Sequence, residues 1–177
     1  MFSATACPPQ VADLAISNEN AALPVAFAPL GDGADRANDS LMTPEELRAR
    51  AAVFARDAAL LAGPLFEQRQ TENAADQLTR ASSSAASNYR AACHAQTHAA
   101  FTAKIALVSE EADEALYWLQ HLRDCGFVRP DAVAPLLNEA EQLAKIFGKS
   151  SATAIAREEA NRRQHRPTRR RGLRKER

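Results

Sequence analysis

Glycine is scarce in this 177-residue chain, with six residues, and aromatic side chains make up only 6%. Alanine is abundant, and that mix suits closely approaching helices better than a β-sandwich rich in β-branched residues. Cysteine is also sparse. Cys7, Cys93 and Cys125 are odd in number and lack CxxC or zinc-finger spacing, so free thiols in a reducing compartment are expected. No apolar run approaches the length that spans a bilayer, and no basic segment followed by an apolar one opens the chain. A soluble, cytoplasmic protein with no membrane partner is the expectation.

The residue sets that carry catalysis are missing as well. No Glu-x-x-His occurs in the sequence, which disfavours a ferritin-like di-iron bundle, since two such pairs would have to face inward. His94 and His98 are four apart and beside Cys93, but no third or fourth ligand accompanies them, and a partly exposed helix face is the better reading. Ser84 and Ser87 have no glycine-rich elbow and no acid–base partner, so close helix packing accounts for them better than nucleophilic catalysis. The expectation is a non-enzymatic protein with no cofactor and no metal.

What is present is an uneven distribution of charge. The formal net charge is zero, yet Asn161 to Arg177 carries nine Lys/Arg against one Glu, or +8, leaving 13 basic and 21 acidic residues, or −8, for the remainder. An acidic body with a basic arm attracts polyanions or folds the arm back on itself. Within the arm, Arg162, Arg163, Arg166, Arg169, Arg170, Arg171, Arg174 and Lys175 are the candidate nucleic-acid contacts. Arginine forks pair with phosphates, and several together release counterions.

Periodicity then divides the chain. Residues 1–42 mix six Pro and Gly with no regular period, which predicts a disordered N-terminal extension. Thr43-Pro44-Glu45-Glu46 reads as a capping box with Pro at the first helical position. Leu47, Ala51, Phe54, Ala58 and Leu61 follow as a seam that Gly63-Pro64 ends. After a polar connection, a second helix is predicted from about Thr71 to Ala95 with Leu78, Ala81, Ala85 and Ala92 inward. The third, from about Thr97 to Asp124, has the clearest period: Phe101, Ile105, Val108, Ala112, Ala115, Leu119 and Leu122. Cys125-Gly126 breaks it. Pro130 opens a fourth helix, inward at Val133, Leu136, Leu137, Ala140, Leu143, Ala144 and Phe147, with either a stop at Gly148 or a prolongation of the same helix through Ser150 to Arg157. Four helices with short connections predict an all-α, antiparallel up-and-down bundle over 43–157, followed by a basic, disordered tail at 158–177.

Several polar and aromatic residues fall off the seams. Lys104, Glu111 and Trp118 are seven apart along one flank of the third helix, and Tyr117 points away from the seam. A Tyr and a Trp outside the intramolecular stripe argue for a second buried surface, most simply another copy of the chain. Lys104 with Glu111 and Glu114 is read as an inter-helix ion-pair network, and Asn88 beside Tyr89 as a buried amide satisfied across the bundle.

Gln77, Leu78, Arg80, Ser84, Asn88, Tyr89 and Ala92, then Phe101, Lys104, Glu111, Ala112, Glu114, Tyr117, Trp118, Leu119 and Leu122, match a pattern of the form QLxRSxxSxxANYxEA…FxxKxxxxxxEAxExxYWLxxL. By these residues the chain resembles the four-helix-bundle family associated with 23S ribosomal RNA intervening sequences, over residues 45 to 155. Leu137-Asn138-Glu139-Ala140 and Leu143 resemble its fourth-helix segment. Ala86, Ser87 and Ala91 stand where the family commonly has Gly, Ala and Glu, which removes one carboxylate from any inter-helix ion pair. The resemblance implies a left-handed bundle that assembles as homo-oligomers, pentameric rings in particular. It also implies kinship with accessory subunits of diversity-generating reverse transcriptases, so that Arg80, Asn88, Tyr89, Lys104, Glu111, Glu114, Tyr117 and Trp118 become assembly or family-signature positions. Fold alone does not fix function. The leading expectation is a homo-oligomeric bundle that binds RNA or a ribonucleoprotein partner; the competing one is a protein-interaction scaffold with no nucleic-acid role.

Overall fold

The computed structural model of the chain describes residues 42–164, and the expected disorder of the N-terminal extension and of the last part of the tail lies outside them. Four α-helices follow one another: α1 (Pro44–Ala62), α2 (Glu72–Cys93), α3 (His98–Asp124) and α4 (Pro130–Gln164). Among the described residues no helix is long and apolar enough to cross a membrane.

Each boundary has a local cause. Thr43 Oγ1 accepts from the Glu46 amide at 3.2 Å, and the Glu46 carboxylate accepts from the Thr43 amide at 2.8 Å, closing the expected capping box. A 3₁₀ turn (Gly63–Glu67) carries the chain from α1 to α2, and it is not merely polar: Leu65 is buried, and the buried Thr71 hydroxyl donates to its carbonyl at 2.6 Å. At the end of α3, the Phe127 amide donates to Leu122 O and the Gly126 amide to Arg123 O, both at 3.0 Å. This is a Schellman closure, and it places Gly126 at φ 72°, where a side chain would be strained.

Tie points fix the topology. Asn88 in α2 meets Lys104 in α3, and His98 meets Ala154, so α2, α3 and α4 alternate in direction. Arg50 clamps α1 to α4, its Nε and Nη2 donating to the two Glu139 oxygens at 2.5 and 2.8 Å and Nη2 also to Gln142 at 2.5 Å. The helices pack in sequence around a square, α1 on α2, α2 on α3, α3 on α4, with a lighter α1–α4 edge; α1 and α3 lie on a diagonal.

The core is built largely from alanine and leucine. Ala58, Ala75, Ala115, Leu78, Leu119 and Leu122 are among its fully enclosed residues. Ser82 is enclosed too, its hydroxyl donating back to Leu78 O at 2.7 Å, so the serine-rich middle of α2 is helix rather than linker. The seams match the periodic residues with small shifts. In α1 it is Ala62, not Leu61, that is fully buried, because a helix of 3.6 residues per turn drifts away from a strict seven-residue repeat.

The larger departure is in α4. Gly148 does not stop it: a methyl there would meet Ser109 Oγ at 3.8 Å, an ordinary contact. Beyond it, Ser151 and Ala154 remain buried and draw the helix on. The last turns are held by exposed i,i+4 pairs, Glu158–Arg162 at 3.2 Å and Glu159–Arg163 at 3.5 Å. Residues 158–164, expected in the disordered tail, are therefore helical.

Candidate functional site

The residues singled out by the sequence fall into three places. Arg162 and Arg163 occupy the last turn of α4, while Arg166, Arg169, Arg170, Arg171, Arg174 and Lys175 lie outside the described residues. Arg80 is exposed on α2 with Asp76 at 3.7 Å. The rest concentrate along α3 and the facing part of α2.

Asn88 and Lys104 form a cross-helix unit. The Asn88 amide nitrogen donates to Ser84 O at 3.1 Å, and its oxygen accepts from Lys104 Nζ at 3.3 Å. The amide is thus satisfied across the α2–α3 groove, although Asn88 is half-buried rather than buried as expected. The expected ion-pair network is not formed: among the described residues Lys104 makes no ion pair with Glu111 or Glu114. Seven residues of helix separate Lys104 and Glu111 by about 10 Å along the axis, whereas the antiparallel neighbour brings Asn88 alongside.

Tyr89, placed with the assembly residues by its sequence context, belongs instead to the monomer's own core. It is 7% exposed and its ring lies 5.1 Å from that of Phe147 in α4. Burial, and then the neighbouring Cys93 sulfur, push its hydroxyl up to about 12. The unfolded chain releases this proton near 10. The native state holds it longer, so the stability tied to the neutral phenol is fully present below pH 10 and is lost as pH rises through 12. Urea unfolding of the wild type and Tyr89→Phe across that window should show a loss on the order of 2 kcal/mol in the wild type that the variant lacks. Parallel pH profiles would contradict this.

The remaining residues make an aromatic cluster at the far end of α3. Tyr117 and Trp118 meet edge-to-face at 5.0 Å, and the His121 ring stacks on Tyr117 at 6.1 Å and stands edge-on to Trp118 at 5.6 Å. Trp118 Nε1 donates to Glu114 at 3.2 Å. Trp118 is half-buried against the core, but Tyr117 is 54% exposed, and Leu107 further along α3 is exposed as well. His121 was missed in the sequence; its spacing of four and three from Tyr117 and Trp118 was the available signal. On the diagonal helix, Val53 and Leu60 are seven apart and also exposed. Exposed apolar side chains thus lie on both α1 and α3, two helices that do not touch each other in the bundle.

His98, considered above as a metal ligand, is turned into the α3–α4 groove with Nε2 3.1 Å from Ala154 O, while Cys93 and His94 are exposed.

Comparison with known proteins gives the family and the fold. The model of a family described as "23S rRNA-intervening sequence protein" matches residues 47–149, which is more than half of the 177. A crystal structure of a protein of unknown function from the S23 ribosomal protein family of Bacteroides thetaiotaomicron VPI-5482 resembles the chain with a TM-score of 0.55 at 23% identity, covering 59% of this chain and 97% of that one. No curated protein matches the chain.

Proposed function

Because the chain belongs to the 23S rRNA-intervening sequence protein family, we propose that it is a non-enzymatic helical bundle that assembles with copies of itself and binds RNA. The observation that carries the reading is the pair of apolar strips on α1 and α3. Exposed large apolar residues in helical register favour a partner surface, and two different strips on helices that do not touch each other favour head-to-tail association that closes into a ring. A pentamer is one such closure.

RNA binding is supported by the family's tie to a ribosomal RNA insertion and by the cationic end of the chain. α4 delivers Arg162 and Arg163 on a helix, and seven further Lys/Arg follow Gln164 in the sequence. Repeated around a ring, that charge multiplies by the number of copies and so does its attraction for a polyanion.

Filter retention of a structured RNA tests this with the full chain and a chain ending at Gln164, the last of the described residues. We expect the full chain to retain RNA, with affinity falling steeply as salt rises from about 0.05 to 0.2 M, and the shortened chain to bind about tenfold more weakly. Negligible retention by the full chain at low salt would leave the scaffold reading in its place.

A further inference from the structure

Five cations lie on α4 between residues 145 and 163, and three of them have acidic partners: Lys145 with Glu141, Arg162 with Glu158 and Arg163 with Glu159. Lys149 and Arg157 make no ion pair among the described residues. These two are eight apart, hence on nearly the same face, with Thr153 midway. Together with Ser150 and Ala154, and with His98 and Phe101 of α3, they line an open groove of about 370 Å³.

Among the described residues no carboxylate lines the groove. Its hydroxyls are committed to helix carbonyls, Ser150 donating to Ile146 O and Thr153 to Lys149 O, each at 2.8 Å. Donors for an incoming anion are therefore the ammonium and the guanidinium. The opposite wall is aromatic: the His98 and Phe101 rings stack at 6.4 Å and 25°, and the His98 Nε2–H donates to Ala154 O across the groove, which fixes the ring.

We propose that this groove seats a segment of single-stranded RNA, with Lys149 and Arg157 each taking a backbone phosphate and the His98–Phe101 wall offering a ring face to an intervening base. This rests on the RNA-binding reading above and places a specific contact on the folded body rather than on the arm. Eight residues of helix put the two cations about 12 Å apart along α4, a spacing that suits two points on a strand better than one small anion. Unpaired cations flanking an aromatic surface are the means by which proteins hold single strands, whereas a duplex offers its bases to no such wall.

Fluorescence anisotropy of a labelled single-stranded RNA of about 12 nucleotides tests it on the full chain, with Lys149→Gln/Arg157→Gln against a control, Arg69→Gln/Arg129→Gln, that removes the same charge elsewhere. All four side chains are largely exposed, so both variants fold; equal far-ultraviolet ellipticity checks this. Affinity should fall about tenfold in the groove variant at ~0.1 M salt, and the slope of log affinity on log salt should become shallower by about 1.4, two phosphates at ~0.7 each. The control should move either quantity much less. Equal losses in the two variants, or wild-type affinity in the groove variant, overturn the groove while leaving RNA binding in place. No binding by the wild type overturns both readings.

Discussion

Truncating Phe147 to alanine is expected to lower the unfolding free energy by about 3–5 kcal/mol, the largest effect of any single core deletion in the bundle. Phe147 is 1% exposed and heads the residues that are both large and fully enclosed. Its ring rests on Tyr89 of α2, and the next residue, Gly148, faces Ser109 of α3. The side chain thus joins α4 to α2, with α3 close beside it at Gly148. Much of the surrounding core is alanine, with no rotamer to swing into the void, so the cavity would persist rather than collapse. Since small domains hold only about 5–15 kcal/mol in total, the variant should unfold at a much lower guanidinium midpoint with an unchanged slope. Phe147→Leu, which keeps most of the volume, should cost less than about 1.5 kcal/mol. The measurement belongs at fixed protein concentration, because the proposed assembly would add to apparent stability. A midpoint for the alanine variant close to that of the leucine variant would show that the ring is not the keystone of the packing.

That keystone was legible in the sequence, and the reason is physical. Along α3, Ile105, Val108, Ala112, Ala115, Leu119 and Leu122 repeat with the helix period, and burial follows period closely when neighbours are parallel or antiparallel rods. The helix starts were equally plain, because capping at Thr43 and Thr97 is decided within four residues. What stayed hidden depends on neighbours in space. Lys104 was read into an inter-helix network with Glu111 and Glu114, but the side chain it meets across the helices is the Asn88 amide of α2. Gly148 looked like a stop because glycine is a poor helix former; whether it stops a helix depends on Ser151 and Ala154 beyond it being buried. Tyr89 was grouped as an assembly or family-signature position, and its contact with Phe147 of α4 is set by the fold. The groove lined by Lys149 and Arg157 was not legible at all, since His98 and Phe101 lie more than 40 residues away in sequence.

Substituting Tyr117 by glutamate is expected to dissociate the proposed assembly while leaving the bundle folded. Tyr117 is 54% exposed in the single chain, so the change itself should cost the monomer no more than about 0.5 kcal/mol. At an interface it would bury a charge beside Glu114 without a cation to meet it, and association should weaken at least a hundredfold. Trp118 is a poorer probe, because it also packs on its own core. Leu60→Glu on α1 should have the same effect, since Leu60 is 52% exposed on the diagonal helix. Mixing the two variants separates the possible geometries. In a head-to-tail ring, each variant has one damaged and one intact strip, so the intact α1 strip of Tyr117→Glu joins the intact α3 strip of Leu60→Glu and growth stops there. Light scattering should then read a mass near twice 19.2 kDa for the mixture and near 19.2 kDa for each variant alone. Were the α3 strip instead to pair with itself about a two-fold axis, Leu60→Glu alone would still dimerise and mixing would add nothing. A wild-type chain that scatters as a monomer at micromolar concentration would dispose of both arrangements, and with them the multiplied charge on which RNA binding by a ring depends.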